Sequence, residues 1–173
     1  GSTSNVDELA VDKSYSFFNP KAGFNYNFNN ENKAYFSVSR AYREPTRSDF
    51  ENNLDIQPEE LIDYELGWQF NNKNLIFSTN FYFMNYKNQL VLTGALDDVG
   101  TPVRENSGKS FRKGVEFESV YSLNKKFVFS GNLSLSKNKN IDYISNFDGQ
   151  VINLGDTDIS FSPELISSLN VSY

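Results

Sequence analysis

Residues Leu61–Phe70 read LIDYELGWQF. The even positions Ile62, Tyr64, Leu66, Trp68 and Phe70 are apolar; after Leu61 the odd positions are Asp63, Glu65, Gly67 and Gln69. A period of two over ten residues predicts a β-strand with two chemically different faces, because successive side chains on a strand point to opposite sides. Working outward, six more segments repeat the pattern. Phe24, Tyr26 and Phe28 alternate with Asn25 and Asn27, and Ala34, Phe36 and Val38 with Ser37 and Ser39. Leu75, Phe77, Phe81 and Phe83 oppose Ser78, Asn80 and Tyr82, while Val115, Phe117 and Tyr121 oppose Glu116, Glu118 and Ser122. In Phe127–Lys137, Phe127, Phe129, Gly131, Leu133 and Leu135 oppose Ser130, Asn132, Ser134 and Ser136. In Leu165–Tyr173, Leu165, Leu169, Val171 and Tyr173 oppose Ser168, Asn170 and Ser172. No stretch sustains a helical period.

The connections sort by length. Asn29–Asn32, Asn71–Asn74 and Asn124–Lys125 are short; Arg43–Glu59, Thr93–Gly108 and Asn138–Asp158 are long, and the two kinds alternate along the chain. Short turns on one side and long loops on the other are the pattern of transmembrane β-barrels, whose long loops are extracellular. Several strands also reach the roughly 9–11 residues that a tilted strand needs to cross the hydrocarbon. The longest fully apolar run, Phe81–Met84, is far too short for a membrane helix of about 20 residues.

Composition supports two-faced strands and removes most catalytic chemistry. The chain has 23 Asn and 21 Ser, more together than its 38 charged residues, and 16% of it is aromatic. The polar face is thus mainly Ser and Asn, suited to a hydrated lumen, and the apolar face is a band of Phe, Leu, Ile, Val and Tyr that would meet lipid. Tyr15, Tyr35, Tyr42, Tyr86 and Trp68 are candidates for interfacial girdles. There is no Cys and no His, so thiolate metal sites, thiol nucleophiles and imidazole bases are excluded. No cofactor is implied. The net charge of −6 argues against a nucleic-acid partner, which needs a basic face.

The fold class read from these features is all-β: an antiparallel up-and-down meander forming a partial transmembrane β-barrel of about seven strands. Seven strands leave the two ends on opposite sides of the membrane, whereas single-chain bacterial barrels have even strand numbers. Either Val6–Lys13, a poor strand with three acids, adds an eighth, or the chain is a slice of a larger barrel. We take residues 1–14 as a cloning scar (Gly1-Ser2) with an extracellular loop remnant, and 15–173 as barrel. Two other readings compete: a complete eight-stranded outer-membrane barrel serving adhesion or envelope integrity, and a soluble β-sandwich binding carbohydrate through Trp68 or Tyr143. A slice would expose two strand edges and an apolar band, so edge-strand self-association is expected of it in isolation.

Six ordered runs resemble the C-terminal half of a TonB-dependent receptor barrel, of the Asn- and aromatic-rich type found in Bacteroidetes-like bacteria. They are NPKAGFNYNF (Asn19–Phe28), SVSRAYREPTRSDF (Ser37–Phe50), PEELIDYELGW (Pro58–Trp68), FYFMNYKNQLVLTG (Phe81–Gly94), NSGKSFRKGVEFE (Asn106–Glu118) and SFSPELISSLNVSY (Ser160–Tyr173). The resemblance implies a plugged barrel in the Gram-negative outer membrane that imports a ferric siderophore, haem, a vitamin or a glycan. The TonB–ExbB–ExbD complex would energise it through an N-terminal TonB box. Neither plug nor box occurs in these residues, which makes the chain a fragment of the receptor, and not an enzyme.

Within that frame Arg43 and Arg47 stand where a strand enters a long loop and Pro45 bends the chain out of the ladder. They are the candidate substrate-binding residues, since guanidinium forks suit anionic ligands; the competing role is an ion pair with neighbouring acids or lipid head groups. Glu116 and Glu118 share a strand face, and lumenal hydrogen bonding accounts for them better than paired catalytic carboxylates. The acids Asp97, Asp98, Asp142, Asp148, Asp156 and Asp158 fit no twelve-residue calcium loop, so no metal site is assigned.

Overall fold

The computed structural model of the protein describes residues 12–97, 99–147 and 150–173. All seven alternating segments are strands of one antiparallel sheet: β1 (Lys21–Asn27), β2 (Asn32–Arg43), β3 (Glu59–Asn71), β4 (Leu75–Lys87), β7 (Lys109–Ser122), β8 (Val128–Phe147) and β10 (Leu165–Ser172), neighbours in that order. Strands β1 and β10 are the sheet's two edges and do not pair with each other. The sheet is therefore unclosed, as a partial barrel requires, and both edge strands are exposed along their whole length. Of the proposed eighth strand Val6–Lys13, residues 6–11 lie outside the described residues; Asp12 and Lys13 are not in a strand.

Register turns the sequence alternation into two continuous surfaces. Phe24, Phe36, Leu66, Phe81, Val115, Leu135 and Leu165 stand opposite one another in turn across all seven strands. One residue along lies a row of the other face: Asn25, Tyr35, Gly67, Asn80, Glu116, Ser134 and Ile166. Because a one-residue slip would swap every side chain between faces, the apolar row fixes the register. Among the described residues no second sheet covers the apolar face; the only other sheet is the hairpin of β5 (Leu90–Leu96) and β6 (Pro102–Asn106). Phe24, Leu66, Phe81 and Leu165 are all more than half exposed. Among the described residues the dry two-layer interior of a sandwich is absent, and β1 and β10 do not meet to close a barrel.

Two pairs of residues on the polar face show how closely the strands pack. Tyr35 faces Gly67 across β2–β3, and Tyr82 faces Gly114 across β4–β7. A Cβ at Gly67 would sit 2.0 Å from Tyr35 Cε1, so glycine is needed for the ring to lie over the neighbouring strand. The ring's hydroxyl then donates to Asn80 Oδ1 at 3.0 Å. This corrects the girdle assignment: Tyr35 and Tyr86 point to the polar face, while Tyr42 and Trp68 lie on the apolar one. The apolar face has its own ring contacts, among them Trp68–Phe77, Phe77–Phe117, Tyr64–Phe83 and Phe83–Phe111.

The three short connections share one chemistry. Asn29 Oδ1 accepts from the amides of Glu31 and Asn32, Asn72 Oδ1 from those of Asn74 and Leu75, and Asn124 Oδ1 from those of Lys126 and Phe127. Each Asn side chain replaces a missing backbone partner and closes its turn. Asn72→Ala should cost about 1 kcal/mol in reversible urea unfolding of the membrane-inserted protein, and Asn29→Ala and Asn124→Ala the same, additively because the turns are separate.

The long connections are more ordered than their composition predicts. Arg43–Glu59 holds the short helix α1 (Arg47–Asn52), Thr93–Gly108 holds most of the β5–β6 hairpin, and Asn138–Asp158 continues β8 and returns as β9 (Gln150–Asp158). β9 pairs the upper part of β8 on the edge that β10 occupies lower down. The ladder slips between Asn140 and Tyr143, where Asp142 takes φ +48°.

Candidate functional site

On the long-loop side, a few buried contacts tie the connections into one layer. Phe50, Ile56 and Leu90 form a small core with Tyr15 packed against it. Asp49, 2% exposed, accepts from the Thr46 amide and hydroxyl, both at 2.8 Å, and faces Arg104 Nη1 at 3.6 Å. It thereby caps α1 and links it to β6. The Asn106 amide acts as a peptide mimic: its Oδ1 accepts from the Gln57 amide, and its Nδ2 donates to the carbonyls of Gln57 and Asn88. Glu59 Oε2 accepts the Leu90 amide at 2.8 Å. Tyr143 donates to Glu105 Oε1, joining β8 to β6, and burial together with that carboxylate pushes its phenol well above the ordinary value. Tyr143 is thus buried, which removes it as a carbohydrate-stacking surface.

Below this layer the Ser/Asn face carries two concavities that share Arg112. The lower one, about 360 Å³, is lined by Glu65, Asn80, Tyr82, Glu116, Ser136 and Asn138 among others. The upper one, about 370 Å³, lies among Gln89, Thr93, Asn140, Thr157 and Asp158. Arg112 Nη1 donates to Ser162 Oγ at 2.6 Å, which holds the guanidinium between the two spaces. A third concavity of about 380 Å³ lies nearer the short turns, with Lys33, Gln69, Ser78, Glu116 and Glu118 in its wall. The walls of these concavities mix hydrogen-bonding groups with apolar ones: Leu90, Leu92, Leu154 and Phe161 also line the upper concavity, and Met84, Phe161 and Ile166 the lower one.

The structure separates the two arginines singled out from sequence. Arg43 ends β2 in the parity of Tyr35, Ser37 and Ser39, so it lies on the polar face, and it is exposed. Arg47 is on α1, and its Nε donates to Glu51 Oε1 at 2.9 Å. Arg112 was missed as a candidate; counting two residues up from Gly114 places it on the face of Glu116, which is the signal that could have found it. Glu116 and Glu118 do share a face and line one concavity. The loop acids serve local structure. Asp97 Oδ1 accepts from the Val99 and Thr101 amides, and the Thr101 amide in particular holds its carboxyl below the usual range. Asp156 accepts the Asp142 amide, and Asp158 pairs with Lys139 at 2.6 Å. Asp98 and Asp148 lie outside the described residues. Among the described residues no three acids converge to hold a metal ion.

With this geometry in hand, comparison with known proteins is decisive for the family. Residues 1–173 match the family model described as TonB dependent receptor-like, beta-barrel. The chain belongs to the TonB-dependent receptor barrel family. Solved receptors share the fold at low identity. The ferric-catecholate import receptor Fiu from E. coli K12 is 17% identical, with a TM-score of 0.61 over 88% of this chain and 22% of its own. The ferric yersiniabactin uptake receptor FyuA from Yersinia pestis is 17% identical, with a TM-score of 0.59 over 87% of this chain and 22% of its own. The siderophore receptor PirA from Pseudomonas aeruginosa is 17% identical, with a TM-score of 0.60 over 69% of this chain and 25% of its own. The chain thus spans a quarter or less of the length of these TonB-dependent receptors. No curated protein matched. The family's barrels are typical of the Gram-negative outer membrane, and its members are transporters.

Proposed function

We propose that these 173 residues are one sector of the barrel wall of an outer-membrane receptor that takes up a scarce nutrient, with a ferric siderophore as the first candidate cargo and haem, a vitamin or a glycan as the others. The observation that carries this is the pair of continuous surfaces, an apolar row across all seven strands and, one residue away, a row that is polar or small on six of them and ends at Ile166, in a chain of this family. The names of the solved receptors favour an iron chelate. The proposed sequence of events is capture by the ordered loop layer, then descent past polar surfaces where Arg43 and Arg112 meet an anionic ligand; Arg47 belongs to the same capture surface through α1. Uptake is energised by the TonB–ExbB–ExbD complex acting on a part of the receptor outside this sector. In isolation the sector has two free edges and an uncovered apolar face, and it associates with further copies through them.

The test is uptake by cells carrying the whole receptor as their only route for an iron chelate. Uptake should cease when the proton gradient is dissipated or TonB is deleted, and Arg43→Glu should lower the apparent affinity about tenfold, the loss of one charge-assisted contact. Uptake that persists without TonB would contradict the transport reading. An unchanged affinity in Arg43→Glu would remove that residue from the site.

A further inference from the structure

We propose that a lumenal bulge makes Phe161 and Arg112 a paired recognition element for cargo that carries an aromatic ring next to an anionic oxygen, the chemistry of an aryl carboxylate or phenolate. This rests on the uptake reading above and narrows its cargo, disfavouring uncharged glycans and ring-free chelates. The bulge is visible in the register. Asp158 of β9 stands opposite Lys139, and Leu165 of β10 opposite Leu135. Between those pairs β8 has three residues, 136–138, and the returning chain has six, 159–164. The extra residues cannot stay in the ladder. Bulges at barrel rims and beside functional sites re-aim a side chain in this way.

Both ends of the bulge are held. The Ile159 amide donates to the Asn138 carbonyl at 3.2 Å, and the Ser136 amide to the Glu164 carbonyl at 2.8 Å. Ser136 Oγ donates to the Pro163 carbonyl at 3.0 Å, and Arg112 Nη1 donates to Ser162 Oγ. Arg112 shares the face of Glu116, so that last bond directs the bulge toward the lumen. At its tip Phe161 takes φ +56° and is 92% exposed, and it borders both the upper and the lower concavity. A bulky side chain is rare in the left-handed region, and such strain persists where the surrounding structure imposes it, as at ligand clamps. Glycine would adopt this backbone freely. Phenylalanine instead sets a ring where cargo passes.

Charge selects the kind of ring. Ser162 and Tyr86 are hydrogen-bond partners of Arg112, and no carboxylate pairs with it among the described residues. A guanidinium carries five N–H donors, which leaves capacity for an anionic oxygen. Asp158 lies in the upper wall but is bonded to Lys139 at 2.6 Å, so it does not offset Arg112. Glu65 and Glu116 stand in the lower wall and repel an anion that descends further. An anionic oxygen therefore rests at Arg112. The ring beside it lies against Phe161, with Leu92 and Leu154 as the apolar part of the upper wall.

The experiment titrates the whole receptor in bilayers with three probes and reads affinity by calorimetry. Ferric dihydroxybenzoate has rings and anionic oxygens, ferric citrate is anionic without rings, and maltohexaose has neither. Ferric dihydroxybenzoate should bind about tenfold tighter than ferric citrate, and maltohexaose should not bind. Phe161→Gly should abolish that preference and leave the ferric citrate affinity unchanged. Because glycine suits φ +56°, the unfolding midpoint of Phe161→Gly should equal or exceed the parent's, which separates lost recognition from lost folding. Phe161→Tyr should keep the preference. Arg112→Gln should weaken both ferric probes about tenfold, and Arg112→Lys should weaken them less. A parent without the preference, a preference that survives Phe161→Gly, or binding of neither ferric probe would overturn this inference and leave TonB-dependent uptake standing. Uptake that persists without TonB would instead overturn the reading on which it rests.

Discussion

Phe81→Arg lowers the stability of the membrane-inserted barrel by about 2–4 kcal/mol, whereas Asn80→Arg, one residue away, changes it by less than about 1 kcal/mol. The contrast follows from parity alone. Phe81 lies in the middle of β4 between Leu66 and Val115, within the apolar row and 52% exposed. Arginine there must place its charge in hydrocarbon. Asn80 lies between Gly67 and Glu116 on the polar face, where a cation gains the neighbouring carboxylate and water. Equilibrium folding into bilayers with urea gives both numbers. Similar losses at the two positions, or a larger loss at Asn80, would mean that the faces are assigned the wrong way round.

The second large effect concerns the glycines under the lumenal rings. Gly114→Ala should destabilise by about 3 kcal/mol, because a Cβ there meets the Leu135 carbonyl oxygen at 2.5 Å and Tyr82 Oη at 2.7 Å. The carbonyl belongs to the β7–β8 ladder and cannot yield without opening it. Gly67→Ala should cost less, about 1–2 kcal/mol, since its clash is with the Tyr35 ring, which can swing away at the expense of its bond to Asn80. Double variants separate the causes. Tyr35→Ala should recover most of the Gly67→Ala loss, and Tyr82→Ala only a small part of the Gly114→Ala loss. Full recovery in both would show that backbone crowding at Gly114 is not the limiting contact.

The strands of the membrane-height sheet were legible because each face meets a different solvent, so composition alternates wherever the wall separates lipid from water. The pattern stops where that difference stops. Residues 138–147 extend β8 with a run rich in Asn, Ile, Asp, Tyr and Ser, and β9 answers it, yet neither shows a clean alternation because both faces meet water or loops. Helix α1 is six residues long, too short to display a 3.6-residue period, and only the Thr46–Asp49 spacing marks its start. Residue type misled where parity would have served. Tyr35 and Tyr86 looked like interfacial anchors by being tyrosines, but they sit out of phase with Phe36 and Phe83, and the first is a lumenal strut over Gly67. The same count would have placed Arg112 in the lumen and Lys113 at the lipid rim, two neighbouring cations with unrelated surroundings. Tyr143 could not have been read as buried, because its partner Glu105 comes from a hairpin hidden in a long connection.

Side-chain accessibility at two adjacent positions tests the assignment of faces most directly. The chain has no cysteine, so Asn80→Cys and Phe81→Cys can each be spin-labelled within the whole receptor, cleared of any cysteine elsewhere, in bilayers. The label at position 81 should collide with oxygen dissolved in lipid and be shielded from a water-soluble nickel chelate, and the label at position 80 should show the reverse. Nickel access at 81 together with oxygen access at 80, or equal access at both, would contradict a wall with lipid on one side and a watery lumen on the other.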